Sequence, residues 1–151
     1  MIAHTQTRTT PGAIDAGAVI YARDLARLAA FYAAVAGLDE GGREHDHVVL
    51  QRGRFELVIV AVPEKIAASI HITEPPQRRE NVAIKPVFFV QSLDTARRIV
   101  SEWGGAMNPS DRQWRFGHWQ VCDGHDPEGN VFQLRQPEAA TLRSTHEETS
   151  A

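Results

Sequence analysis

The sequence predicts an α+β fold built from two β-α-β-β-β units, and three observations carry that prediction. A β-prone run, an amphipathic helical stretch and further β-prone runs follow one another twice along the chain. Leu25 and Leu93, each just behind a first strand, are 68 residues apart, and so are Gly37 and Gly105, which close the two helices. Between the halves lies the polar, Pro-containing stretch EPPQRREN, residues 74–81.

The elements follow in order. AGAVIYA, from Ala16, is a short β-rich run after a lead (1–15) expected to be flexible. Asp24 suits an N-cap, and Leu28, Phe31, Tyr32 and Val35 recur at helical spacing before Gly37, so residues 25–36 read as a helix with those four as its buried stripe. HDHVVLQR and RFELVIVAV, separated around Gly53, read as a hairpin; PEKIAASI suits a helical turn and SIHIT a short strand. AIKPVFFVQ reads as the next strand, Ser92 as an N-cap, and Ala96, Ile99, Val100 and Trp103 as a second buried stripe ending at Gly104-Gly105. RQWRFGHWQVCD and NVFQLRQ read as strands joined by GHDPEGN, a turn in which Pro127 fixes a backbone angle, Gly129 permits positive φ, and Asp126 and Asn130 bond the turn backbone. The expected layout is one domain over residues 16–136: a first module at 16–72, a connector at 73–82, a second module at 83–136, and a polar tail at 137–151.

Composition narrows the function. With 151 residues, 42% hydrophobic and 23% charged, burial alone can stabilise one domain. The net charge of −3, with Lys and Arg scattered, argues against nucleic-acid and membrane partners. One cysteine, Cys122, excludes an internal disulfide, and the start MIAHTQTRTTPG carries no apolar signal stretch, so a cytoplasmic location is expected. Cys122 has no flanking base or helix start to lower its pKa and reads as an ordinary buried thiol.

Three stretches, VIYARDLARLAAFYAAVAGL, KPVFFVQSLDTA and DPEGNVFQL, resemble the vicinal oxygen chelate superfamily, which contains glyoxalase I, bleomycin-resistance proteins and extradiol dioxygenases. The resemblance covers residues 16–136. It implies paired modules whose strands curve into a cup-like mixed sheet with the helices outside, and a homodimer as the common assembly. In metal-using members, His or Gln and Glu side chains on the first and last strands of each module hold a divalent ion. Counted back from the helix-capping Asp24, the first slot is Gly17, which has no side chain to give; the 68-residue offset makes the second Lys85, a cation. The third is Glu56 or, by an ungapped match between the modules, Leu57; the fourth is Gln133, an uncharged amide.

Strand alternation through WRFGHWQVC puts Trp114, Phe116, His118 and Gln120 on one face and Trp119 and Val121 on the other, and a face mixing aromatic and polar groups suits a small-molecule site. Lys85 is either a solvated strand-end lysine or a partner for Glu56 or for an anionic ligand. The candidate ligand-binding residues are therefore His47, Glu56, Lys85, Trp114, Phe116, His118 and Gln133, with no cofactor and an unidentified small molecule as partner. The alternative is a metal-dependent lyase, isomerase or dioxygenase that gathers a divalent ion with His47, Glu56, His118 and Gln133. A metal-free enzyme using Lys85 or Glu56 as acid or base is a third reading. His45, His71 and His125 are read as carrying no function.

Overall fold

A computed structural model describes residues 13–139 of the chain, so the expected lead up to residue 12 and tail from residue 140 lie outside the described residues. The first module runs β1 (Ala16–Ala22), α1 (Leu25–Ala36), β2 (Asp39–Arg43), β3 (His47–Arg52) and β4 (Phe55–Ala61). A helical turn, α2 (Glu64–Ala67), follows, and the chain then runs without helix or strand to β5 (Val87–Phe89). The second module continues with α3 (Leu93–Glu102), β6 (Ala106–Met107), β7 (Trp114–Phe116), β8 (Trp119–His125) and β9 (Val131–Pro137). No helix among the described residues is long and apolar enough to cross a membrane.

Each module forms an open mixed sheet, ordered β1-β4-β3-β2 and β5-β9-β8-β6, with β7 paired to β8. In both, the first strand runs parallel to the last and antiparallel pairs complete the sheet. The two helices begin where the sequence places them. Asp24 accepts the Arg27 N–H at 3.1 Å, Ser92 accepts that of Thr95 at 3.2 Å, and Gly37 closes α1 at φ 63°, a left-handed conformation that costs glycine little.

Three local expectations need correction, and one strand was not anticipated. SIHIT forms no strand. Trp103 is the C-cap residue of α3 rather than part of its buried stripe, and it is 45% exposed. The stretch DEGGR, too polar to show a strand pattern, is the edge strand β2. RQWRFGHWQVCD is a hairpin rather than one strand: Phe116 pairs with Trp119 across the two-residue loop Gly117-His118, with Gly117 at φ 58°. Trp114 and Phe116 therefore share a face with Trp119 and Val121, while Gln120 lies on the other.

One core serves both modules. Leu28, Phe31, Tyr32 and Val35 of α1 are all buried and reach Leu57 and Ile59 on one sheet and Phe88, Phe132 and Leu134 on the other. Tyr32 packs 5.7 Å from Phe88 and 6.2 Å from Phe132, ring centre to ring centre. Its hydroxyl is equally committed, donating at 2.7 Å to Oδ2 of the fully buried Asp126 in the DPEGN turn. Oδ1 of Asp126 accepts the Glu128 and Asn130 N–H groups, and the Asn130 amide donates to Oδ2. Glu128 reaches the other way, accepting the Arg23 and Asp24 N–H groups at 2.7 and 3.0 Å ahead of α1. The turn thus clamps one module to the other.

Burial raises the Asp126 carboxyl above its ordinary value, with the bonds from Tyr32, Asn130 and the turn backbone opposing it; burial, then Asp126, raises the Tyr32 hydroxyl. Removing the Tyr32 hydroxyl as Tyr32→Phe leaves a buried acceptor short of a donor and should cost about 1–3 kcal/mol in denaturant unfolding. A carboxyl whose pKa is raised on folding contributes stability below its unfolded value and loses it as pH rises through the folded one. The stability of the wild type relative to Asp126→Asn should therefore decline as pH rises from about 4, measured by urea unfolding across pH.

Candidate functional site

Side chains alternate across each strand, so the residues that do not face the helices form a second, free face. On the sheet of the second module, this free face is ordered in rows by strand register. Val87, Gln133 and Asp123 make one row, Phe89, Arg135, Val121 and Trp114 the next, and Trp119 with Phe116 flanks the second. The first row is polar and the others are largely aromatic.

Asp123 centres the polar row. It is 6% exposed, and a carboxylate so far from water requires partners. Lys85 Nζ lies 2.6 Å from its Oδ2, an Arg78 terminal nitrogen lies 3.7 Å from the same oxygen, and the Gln133 amide donates to Oδ1 at 3.2 Å. Gln133 Oε1 in turn accepts from Arg135 Nε at 2.8 Å, and the Arg135 guanidinium lies over the Phe116 ring, 5.0 Å from its centre. The connector delivers Arg78: the Arg79 N–H donates to the Gly129 carbonyl at 2.9 Å, and Arg78 bonds Asn108 at 2.9 Å. Gly129 has φ 82°, and a Cβ there would stand 2.1 Å from the Gln77 carbonyl oxygen, so only glycine lets the connector lie this close.

Of the sequence candidates, Lys85, Gln133, Trp114 and Phe116 meet on this face. The others lie elsewhere. His118 is exposed in the β7–β8 loop. Glu56 and His47 belong to the free face of the first module, where Glu56 accepts from Gln51 at 2.8 Å and His47 bonds Asp46 at 2.8 Å. They sit toward opposite ends of the β3–β4 pair, since Glu56 pairs with Gln51 and His47 with Val60. Leu57 is fully buried in the core, whereas Glu56 lies on the free face. Lys85 does not pair with Glu56; its carboxylate partner is Asp123. Asp123, Arg135 and Arg78 were not singled out from sequence, although strand alternation from Gln133 reaches Arg135 in two residues.

The four slots do not suit a divalent cation. A Cβ at Gly17 would stand 2.7 Å from the Glu56 carbonyl oxygen, so β1 and β4 leave no room for a ligating side chain there. Gly17 pairs directly with Glu56, whereas Gln133 pairs with Val87, two residues beyond Lys85. At Lys85 and Gln133 the surroundings are an ammonium and two guanidinium groups about one carboxylate, which repel a metal ion. Among the described residues, no three His, Cys, Asp or Glu side chains are grouped to hold a metal.

Concave space lies beside the cluster rather than over it. An open pocket of about 450 Å³ follows β1 at Val19 and Tyr21 and is bordered by Arg79, Ile84, Pro86 and Val131. Another of about 410 Å³ separates the C-terminal end of α1 from the start of α3, next to Phe89 and Trp119. The polar row itself lies on an open sheet.

Residues 17–135 match the family model described as a glyoxalase-like domain. A glyoxalase/bleomycin resistance protein/dioxygenase family enzyme from Burkholderia phytofirmans is similar in structure, with 20% identity over 80% of this chain and 96% of that one and a TM-score of 0.60. The fosfomycin resistance protein FosX from Listeria monocytogenes gives 16% identity over 80% and 88%, TM-score 0.56. A FosX variant complexed with Mn(II) and 1S,2S-dihydroxypropylphosphonic acid gives 14% over 80% and 87%, TM-score 0.58. At these identities the likeness is one of fold. No curated protein matches the sequence.

Replacing Lys85 by Met leaves Asp123 with its more distant cation and should lower stability by about 1–3 kcal/mol, whereas Lys85→Met with Asp123→Leu should recover part of that loss. Thermal unfolding of the two variants measures the difference.

Proposed function

We propose that this chain, which belongs to the glyoxalase-like family of the vicinal oxygen chelate superfamily, binds a small molecule without a metal ion and holds it on the polar and aromatic face of its second module. The observation that carries this reading is Lys85: where a metal ligand is expected, an ammonium stands 2.6 Å from Asp123. Support also comes from the exposed aromatic rings, Phe89 at 51%, Trp114 at 39% and Phe116 at 58%, since large rings left in water on one face suit a recognition surface. A second copy of the chain would supply the wall that an open sheet lacks, which supports the homodimer. The single cysteine suits a reducing compartment such as the cytoplasm.

Metal-dependent catalysis remains the competing reading, favoured by the Mn(II) bound to the similar FosX variant. Protein purified without chelator should carry only traces of Fe, Mn, Ni, Co or Zn by mass spectrometry, and added Mn(II) should give no saturable heat in calorimetry. Near-stoichiometric metal in either measurement overturns the metal-free reading.

A further inference from the structure

We propose that the ligand is an organic anion, a carboxylate on an aromatic or other flat apolar body, and that Arg135 is the residue that receives it. The proposal rests on the metal-free binding reading and names the chemical class for that site.

Charge points to an anion. Lys85 and Arg78 share a single carboxylate, Asp123, and both approach the same oxygen. Arg135 adds a further positive charge and, among the described residues, has no carboxylate partner. Three cations against one anion leave the polar row, with Arg135 beside it in the next row, net positive, although the whole chain carries −3. Such a row attracts an anion and repels a cation.

Geometry narrows the anion to a carboxylate with an apolar body. The Arg135 side chain is held at two points, by the Nε bond to Gln133 and by the guanidinium over the Phe116 ring, and its two terminal amino groups make no hydrogen bond among the described residues. Such a fork matches the two oxygens of a carboxylate. Trp114 stands in the same row as Arg135, Phe116 and Trp119 flank that row, and Phe89 meets Trp119 edge to face at 4.8 Å. A carboxylate on the fork therefore lays the body attached to it over aromatic rings. Asp123 fills the inner part of the positive row, where it occupies Lys85 and Arg78 in place of a second ligand charge.

Benzoate, benzamide, benzylammonium and acetate, titrated separately into the ¹⁵N-labelled full chain at constant ionic strength, test this. Benzoate should shift the Trp114 and Arg135 signals and bind about tenfold more tightly than benzamide; acetate should bind more weakly than benzoate. Arg135→Gln, a change at a half-buried side chain, should remove most of that preference while the thermal unfolding midpoint stays close to wild type. Asp123→Asn, if folded, should bind benzoate more tightly, because the carboxylate competing for Lys85 is gone. Equal binding of benzamide and benzoate, stronger binding of benzylammonium, or no response at these residues to any probe overturns the anion assignment and leaves metal-free binding standing. Paramagnetic broadening of the Gln133 and Lys85 signals by stoichiometric Mn(II) would instead overturn the metal-free reading itself.

Discussion

The buried bond between Asp126 and Tyr32 is the constraint on which the rest of the molecule depends. Two small modules with open sheets bury too little surface separately to be secure. They share one core because the buried face of α1 belongs to a cluster with residues of both sheets, and Tyr32 on that face packs against Phe88 and Phe132 of the second sheet. Its hydroxyl cannot enter an apolar core without an acceptor, and the acceptor is a turn residue 94 positions away. The DPEGN turn thereby fixes the start of β9 and, through Gly129, the path of the connector. Gln133 and Arg135 on β9 and Arg78 on the connector take their positions from that arrangement.

How much of this was legible depends on the kind of signal each element carries. The stripe Leu28, Phe31, Tyr32 and Val35 has helical period and a cap at each end, so α1 could be read to the residue. β2 is DEGGR, an edge strand with neither alternation nor β-branched residues, and it forms because β3 offers it a free edge. WRFGHWQ was misread because aromatic residues continue through a two-residue loop; Gly117 was the local signal of a turn, and missing it inverted which residues share a face.

The site was legible where a single strand defines it and obscure where several elements meet. Gln133 was visible from its motif and Lys85 from a constant offset. Asp123 stood unremarked in VCDGHD, since its importance arises from pairing opposite Gln133. Arg78 belongs to a stretch without periodicity, and its position depends on a backbone bond to Gly129 that sequence pattern does not encode. A Lys85–Glu56 pair, one of the alternatives open from sequence, would place a charge from the second module against one from the first; the carboxylate beside Lys85 is instead Asp123, within the second module.

The different pairing of the two modules has a further consequence. Gly17 meets Glu56, while the second module brings Gln133 opposite Val87 rather than opposite the lysine that corresponds to Gly17. A shift of two residues keeps every side chain on the face it already occupied, so inward and outward residues stay sorted as before. It changes which residues stand beside one another across the strands. Two copies of one folding plan can thus drift apart in chemistry while remaining alike in burial, and here positive charge and aromatic rings collect in one half. The near-symmetry of the scaffold lies in its strand order and in which face each side chain takes, while the side chains exposed on the two halves differ.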